Sequence, residues 1–164
     1  FAVRRPPNLP FAEAIATYNA SFQGIDRSKS LLATHICRGN GRSAWHTSGG
    51  YDRIAEKVFS LDVDAFLLEY DTDRSGGFEP LRFVPKGKTV VLGLITSKVG
   101  ELEKVDDLLR RIDEAAKYVA MEDLSISPQC GFASTAAGNP LTVDDEKRKL
   151  ELVVNVANRV WPNG

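Results

Sequence analysis

The sequence predicts an α/β fold in which helices alternate with parallel strands of the kind covered on both faces. Two observations predict it. Four runs of strand length are apolar throughout rather than alternating, the pattern of strands buried on both faces. Between them lie longer segments whose apolar residues recur at helical spacing. The strand-like runs are residues 31–37 (LLATHIC), 64–70 (DAFLLEY), 88–96 (KTVVLGLIT) and 124–130 (LSISPQC). The last is the weakest, with Pro128 near its end.

The helical segments follow in order. Residues 11–22 read as a helix ahead of the first strand, and residues 51–60 place Ile54, Val58 and Phe59 on one face. Val105, Leu108, Leu109, Ile112, Ala116 and Val119 recur at i, i+3, i+4 and i+7. Thr142 and Asp145 resemble a capping box with Asp in place of the usual Glu or Gln. They open a terminal helix that runs through Leu150, Val153, Val154 and Ala157 to Trp161. The chain thus reads as one helix and then four strand-plus-helix units of roughly 25 to 35 residues. Periodicity alone fits a small open sheet and half of a (β/α)8 barrel equally well. No repeat, low-complexity tract or linker divides residues 1–164, which read as a single unit.

Composition narrows the function classes. A formal net charge of -1 over 164 residues gives no electrostatic footprint for nucleic acid or an anionic membrane. No apolar run approaches the roughly 20 residues of a membrane span. The first ten residues lack the apolar core of a signal peptide. They also lack an initiator Met, so the chain reads as a fragment or a processed piece. Two cysteines make no disulfide framework, which favours a metal or catalytic role and a reducing, cytoplasmic setting.

Four residues stand where chemistry is expected. His35 and Cys37 are two apart on one strand and point the same way. Glu69 ends the second apolar run and Cys130 the fourth. In a parallel sheet the C-terminal strand ends share one edge, where active sites are built. Two thiols, an imidazole and a carboxylate suit zinc. Each residue also has an ordinary structural reading, since Cys is often buried and His is often a satisfied polar group. Glu69 is the most telling, because a carboxylate inside an apolar run must be paired, hydrogen-bonded, protonated or metal-bound.

At these residues the sequence resembles the cobalamin-independent methionine synthases (methionine synthase II family). The stretches that carry the resemblance are THICRGNGRS (34–43), FLLEYD (66–71), RSGGFEPLRFVPKGKTVVLGLITSK (74–98) and SPQCGFAST (127–135). The likeness is to the shorter, single-barrel bacterial members, which carry the HICRGN and EYD forms. It implies the C-terminal half of a TIM-type (β/α)8 barrel, about four parallel βα units, with His35, Cys37, Glu69 and Cys130 as zinc ligands. The implied reaction moves the methyl group of 5-methyltetrahydrofolate, as its polyglutamate, to homocysteine thiolate and yields methionine. Many members carry a catalytic His where this chain reads Ile95-Thr96-Ser97-Lys98. Lys98 and Glu101 are the candidates for the general acid in its place.

Further candidates are Arg38, Arg42 and Arg74, for the carboxylates of an amino acid or a glutamyl tail. Asn40 and Asp71 are candidates for orienting the ligands. His46 reads as a loop residue, and Trp45 and Trp161 as packing. Two other functions remain open. One is alkyl transfer to a different thiol, as in the coenzyme M methyltransferases. The other is a non-catalytic metal-binding half-barrel that self-associates or pairs with a missing N-terminal half, since half a barrel leaves two strand edges. On the half-barrel reading the chain by itself is expected to show little methyl transfer.

Overall fold

Apolar runs and amphipathic segments alternate along the chain, and the fold follows that alternation. The structure, a computed structural model, describes residues 10–39, 43–44, 49–133 and 135–162. Four strands, β1 (Ala33–Ile36), β2 (Ala65–Glu69), β3 (Thr89–Ile95) and β4 (Leu124–Pro128), form one sheet in the order β1-β2-β3-β4. Every neighbouring pair is parallel, with Ala33 opposite Ala65, Phe66 opposite Val90 and Val90 opposite Leu124. This is the parallel arrangement of half a (β/α)8 barrel. The helices are α1 (Phe11–Ser21), α2 (Ala55–Val58), α3 (Val105–Ala115) and α4 (Val143–Val160).

The interior strand β3 is the most deeply set. Val90, Leu92, Leu94 and Ile95 are almost wholly buried, and they share a core with Phe66 and Leu68 of β2, Leu108 and Ile112 of α3, and Leu152 and Val156 of α4. Asp106 and Asp107 in the first turn of α3 complement its positive end. At α4 the expected capping box is present: the Thr142 hydroxyl accepts from the Asp145 N–H, and the Asp145 carboxylate accepts from the Thr142 N–H. Alternate strand residues make the opposite face. His35, Leu67, Val91 and Ser125 lie in one register row there, all at least partly exposed.

Two helical expectations are corrected. The connection from β2 to β3 holds no α-helix but two 3-10 turns, Asp73–Ser75 and Glu79–Phe83. Gly76, Gly77, Pro80, Pro85 and Gly87 interrupt that stretch, and each disfavours a continuous helix. The helix expected over 51–60 shrinks to the single turn of α2, which has no side-chain cap at Ile54. Val58 and Phe59 are nonetheless buried and Ile54 partly so, because tertiary packing rather than helix length holds them. Between β3 and β4 the ladder slips at Gly93–Ile95. Such a bulge re-aims the side chains beyond it. Among the described residues no helix is long and apolar enough to cross a membrane.

Candidate metal centre

Three of the strands deliver side chains to one edge of the sheet. His35 projects from β1, with Cys37 one residue past its end; Glu69 is the last residue of β2; Cys130 lies two residues past β4. One donor atom from each falls within 4.8 Å of every other. The Cys130 thiol donates to Glu69 Oε1 at 2.7 Å, and His35 Nε2 is 3.3 Å from the same oxygen. Cys130 Sγ lies 3.7 Å from His35 Nε2 and 3.8 Å from Cys37 Sγ. Both cysteines are free thiols.

These distances test whether the residues fit a metal ion. Donors about 2.0–2.3 Å from a tetrahedral ion stand about 3.3–3.8 Å from one another. Of the six pairs among the four donors, three fall in that range, the Cys130–Glu69 pair is a hydrogen bond that an ion would replace, and the two between Cys37 and His35 or Glu69 lie within 4.8 Å. The set of two sulfurs, one imidazole nitrogen and one carboxylate oxygen is of the kind that takes zinc. An open cleft of about 550 Å³ lies against it, lined by His35, Cys37, Leu67, Ser127, Pro128 and Cys130.

Glu69 is fully buried. Burial pushes its carboxyl up, but hydrogen bonds from His35, Cys130 and the Arg38 N–H outweigh that and hold it at about 2. Burial, and then the adjoining Glu69 carboxylate, push the Cys130 thiol up, so in this arrangement the proton stays on sulfur. The two Glu69 oxygens have separate tasks. Oε1 faces His35 and Cys130, while Oε2 accepts from the Arg38 N–H at 3.0 Å and from Gln129 Nε2 at 3.3 Å.

The Glu69 backbone has an unusual partner. Pairing of β1 with β2 ends at Ile36–Leu68, so on that side Glu69 has no strand neighbour. The Tyr51 hydroxyl takes the place of one. It accepts from the Glu69 N–H at 2.9 Å and donates to the Glu69 carbonyl at 3.2 Å. Burial pushes the Tyr51 hydroxyl up, which keeps it protonated and able to donate.

The remaining candidates are placed as follows. The Arg38 side chain is turned into the protein, where it stacks on the Tyr51 ring at 4.6 Å and donates to the Gly49 carbonyl, in place of an exposed substrate contact. Arg74 and Lys98 are both buried against the Asp71 carboxylate, at 3.3 and 3.1 Å. Asp71 therefore pairs with those two cations and not with the four converging residues. Glu101 is exposed, and its carbonyl accepts from Lys149. Asn40, Arg42, Trp45 and His46 lie outside the described residues. Sequence reasoning passed over Tyr51 and Gln129. No periodicity marks Tyr51, while the position of Gln129 beside Cys130 is its only signal.

Comparison with known proteins bears on the family. A sequence profile for the family described as cobalamin-independent synthase, catalytic domain, matches residues 10–159. Uncharacterized protein YxjH of Bacillus subtilis is 56% identical over 159 residues, 95% of this chain and 41% of that protein. The methionine synthase of Pyrococcus abyssi is 27% identical over 132 residues, 79% of this chain and 34% of its own length. Among solved structures, a Listeria monocytogenes protein assigned to the vitamin-B12 independent methionine synthases has a TM-score of 0.69 and 31% identity. It covers 96% of this chain, and the match takes in 44% of that one. A B12-independent methionine synthase from Shewanella sp. W3-18-1, in complex with selenomethionine, shares the fold at a TM-score of 0.69 and 22% identity, over 89% of this chain and 42% of its own. The chain spans about two-fifths of the length of the Bacillus relatives it matches. With the profile covering nearly all of its described residues, the chain belongs to the cobalamin-independent synthase family, through that family's catalytic domain.

Proposed function

We propose that residues 1–164 form part of one catalytic barrel and carry the zinc centre of a methyltransferase that moves the N5 methyl group of 5-methyltetrahydrofolate to homocysteine thiolate. The observation that carries this reading is the meeting of His35, Cys37, Glu69 and Cys130 within 4.8 Å of one another. Family membership and the methionine synthase names of the two Pyrococcus relatives support the reaction class.

Bound zinc supplies the positive charge that draws a thiol from its usual pKa of about 8.5 toward neutrality. The chain's own residues supply the rest. His35, Cys37, Glu69 and Cys130 would hold the ion, and the cleft beside them, lined by Leu67 and Pro128, would admit a thiol. With Cys37 and Cys130 as two of its donors, a bound ion would be electron-rich, which would favour a nucleophilic substrate thiolate. The folate nitrogen needs a proton as it leaves. Lys98 and Glu101, both just beyond β3, are the groups proposed to manage it, with Asp71 fixing the Lys98 ammonium. Arg42 is the arginine proposed for a substrate carboxylate.

Elemental analysis tests the reading on the wild type, Cys37→Ser and Cys130→Ser. About one zinc per chain is expected in the wild type, and much less in either variant. Undiminished zinc in both variants would sink the assignment. Methyl transfer from methyl-folate to homocysteine, compared with transfer to coenzyme M and measured on a full-length parent that carries the whole barrel, decides the acceptor thiol.

A further inference from the structure

The side of Glu69 that faces away from the other donors is held by a continuous chain of polar contacts reaching to α4. It starts at Lys149, a lysine with no solvent exposure. The Lys149 ammonium donates to the Glu101 carbonyl at 2.6 Å and to both oxygens of Glu103, at 3.3 and 3.1 Å. Glu103 Oε1 in turn accepts from the Thr96 N–H at 2.8 Å. The Thr96 hydroxyl donates to Gln129 Oε1 at 3.1 Å, and Gln129 Nε2 donates to Glu69 Oε2 at 3.3 Å. Gln129 itself is 3% exposed.

The chemistry of these groups fixes their roles. A carboxylate only accepts, so the Gln129 amide must turn its NH2 toward Glu69 and its oxygen toward Thr96. Thr96 has a hydroxyl hydrogen to give, and its oxygen accepts from the Lys98 N–H at 3.3 Å. Every link therefore has one direction, and none can reverse without leaving two like groups face to face. The backbone places Gln129 for this task. Its N–H donates to the Ile95 carbonyl at 2.9 Å, just beyond the bulge at Gly93–Ile95. With Oε2 held by Gln129 and the Arg38 N–H, only Oε1 is left to face His35 and Cys130.

We infer that Gln129 is a positioning residue: anchored by Thr96, Glu103 and Lys149, its amide pins one oxygen of Glu69 and so presents the other to the metal as a single, oriented donor. The inference rests on the metal-site reading above. Partners of this kind, behind a ligand, typically change metal affinity by about 10- to 100-fold when removed.

The experiment uses the whole chain, with zinc affinity measured by chelator competition and cobalt(II) as a spectroscopic stand-in. Gln129→Met keeps the length and removes both hydrogen bonds. It is expected to weaken zinc binding by about 10- to 100-fold and to shift the cobalt absorption bands, which report ligand geometry. Thr96→Val keeps the shape and removes the anchoring hydroxyl; a smaller loss in the same direction is expected, and it keeps the test alive if Gln129→Met fails to fold. The double variant should bind no worse than Gln129→Met alone, because Thr96 acts through Gln129. Gln129→Glu retains an acceptor for Thr96 but sets a second carboxylate against Glu69, and it should not rescue. Wild-type affinity and an unshifted cobalt spectrum in both single variants would overturn the inference while leaving the metal site standing. Fully additive losses in the double variant would also overturn it. A wild-type chain that takes up no metal removes the site reading itself, and the inference with it.

Discussion

Gly93→Ala tests how tightly the sheet is built around the four donors. Gly93 lies on β3 between Glu69 of β2 and Ser127 of β4. A Cβ there would come 2.9 Å from the Leu68 carbonyl oxygen on one side and 2.9 Å from the Gln129 Cα on the other. Both are backbone atoms, so no side chain can swing aside to relieve the contact. Adding one carbon to a close-packed interior costs about 1–3 kcal/mol. The reduced freedom of alanine in the unfolded chain offsets about 0.5–1 kcal/mol of that. The net expectation is a loss of up to about 2.5 kcal/mol, centred on about 1 kcal/mol and read from urea unfolding. Leu68 and Gln129 immediately precede Glu69 and Cys130, so the same displacement should spread the donors and weaken zinc binding in chelator competition. Gly131→Ala is the control: it flanks Cys130 on the other side, but nothing stands within 4 Å of its added carbon. It should leave stability and zinc affinity unchanged. Gly93→Ala with wild-type stability and wild-type zinc affinity would refute the reasoning.

Tyr51→Phe removes the hydroxyl that bonds both backbone groups of Glu69 and should cost about 1–3 kcal/mol of unfolding free energy. An unchanged urea midpoint would show that another group satisfies that backbone. Lys149→Met leaves the Glu103 carboxylate without its buried cation and should cost about 3 kcal/mol, also by urea unfolding. Thr142→Ala removes one half of the α4 cap and should cost about 1 kcal/mol. The Thr142 N–H, the Thr142 hydroxyl and Arg148 hold the Asp145 carboxyl below its ordinary value. The cap's stabilisation is therefore present above the ordinary Asp range and lost as pH falls through the depressed value. NMR titration of Asp145 in the wild type and in Thr142→Ala checks this, and identical curves would refute it.

The strands were readable because one face of β2, β3 and β4 is buried and the alternate residues are largely apolar too, which leaves an unbroken apolar run such as that from Val90 to Leu92. The four donors were readable for the converse reason: a carboxylate at Glu69 and thiols at strand ends have no simple part in such a run. The stretch between β2 and β3 was harder, since Leu81 and Phe83 carry apolar weight while Pro80 and Pro85 forbid the helix that weight suggests. The contacts behind Glu69 were invisible, because the pairings Glu69–Gln129 and Glu103–Lys149 join residues 60 and 46 positions apart. One hint was present. Lys149 stands three residues before Leu152 and seven before Val156, on the buried face of α4, where an unpaired lysine has no place.

The spacing of the donors along the chain also bears on how the protein assembles. His35 and Cys130 are separated by 95 residues. In a zinc finger the ligands lie a few residues apart, and the ion templates the fold. Here an ion meeting the chain during synthesis finds no more than the His35–Cys37 pair and Glu69 until β4 has emerged and docked. The loop that joins the two ends must close before the last donor contributes anything, and its closure is an entropic cost that grows with length. Contacts this distant in sequence slow folding. On the proposed metal-site reading, capture would thus be a late event that rewards a sheet already laid down, and it would stabilise that sheet by mass action rather than direct its construction.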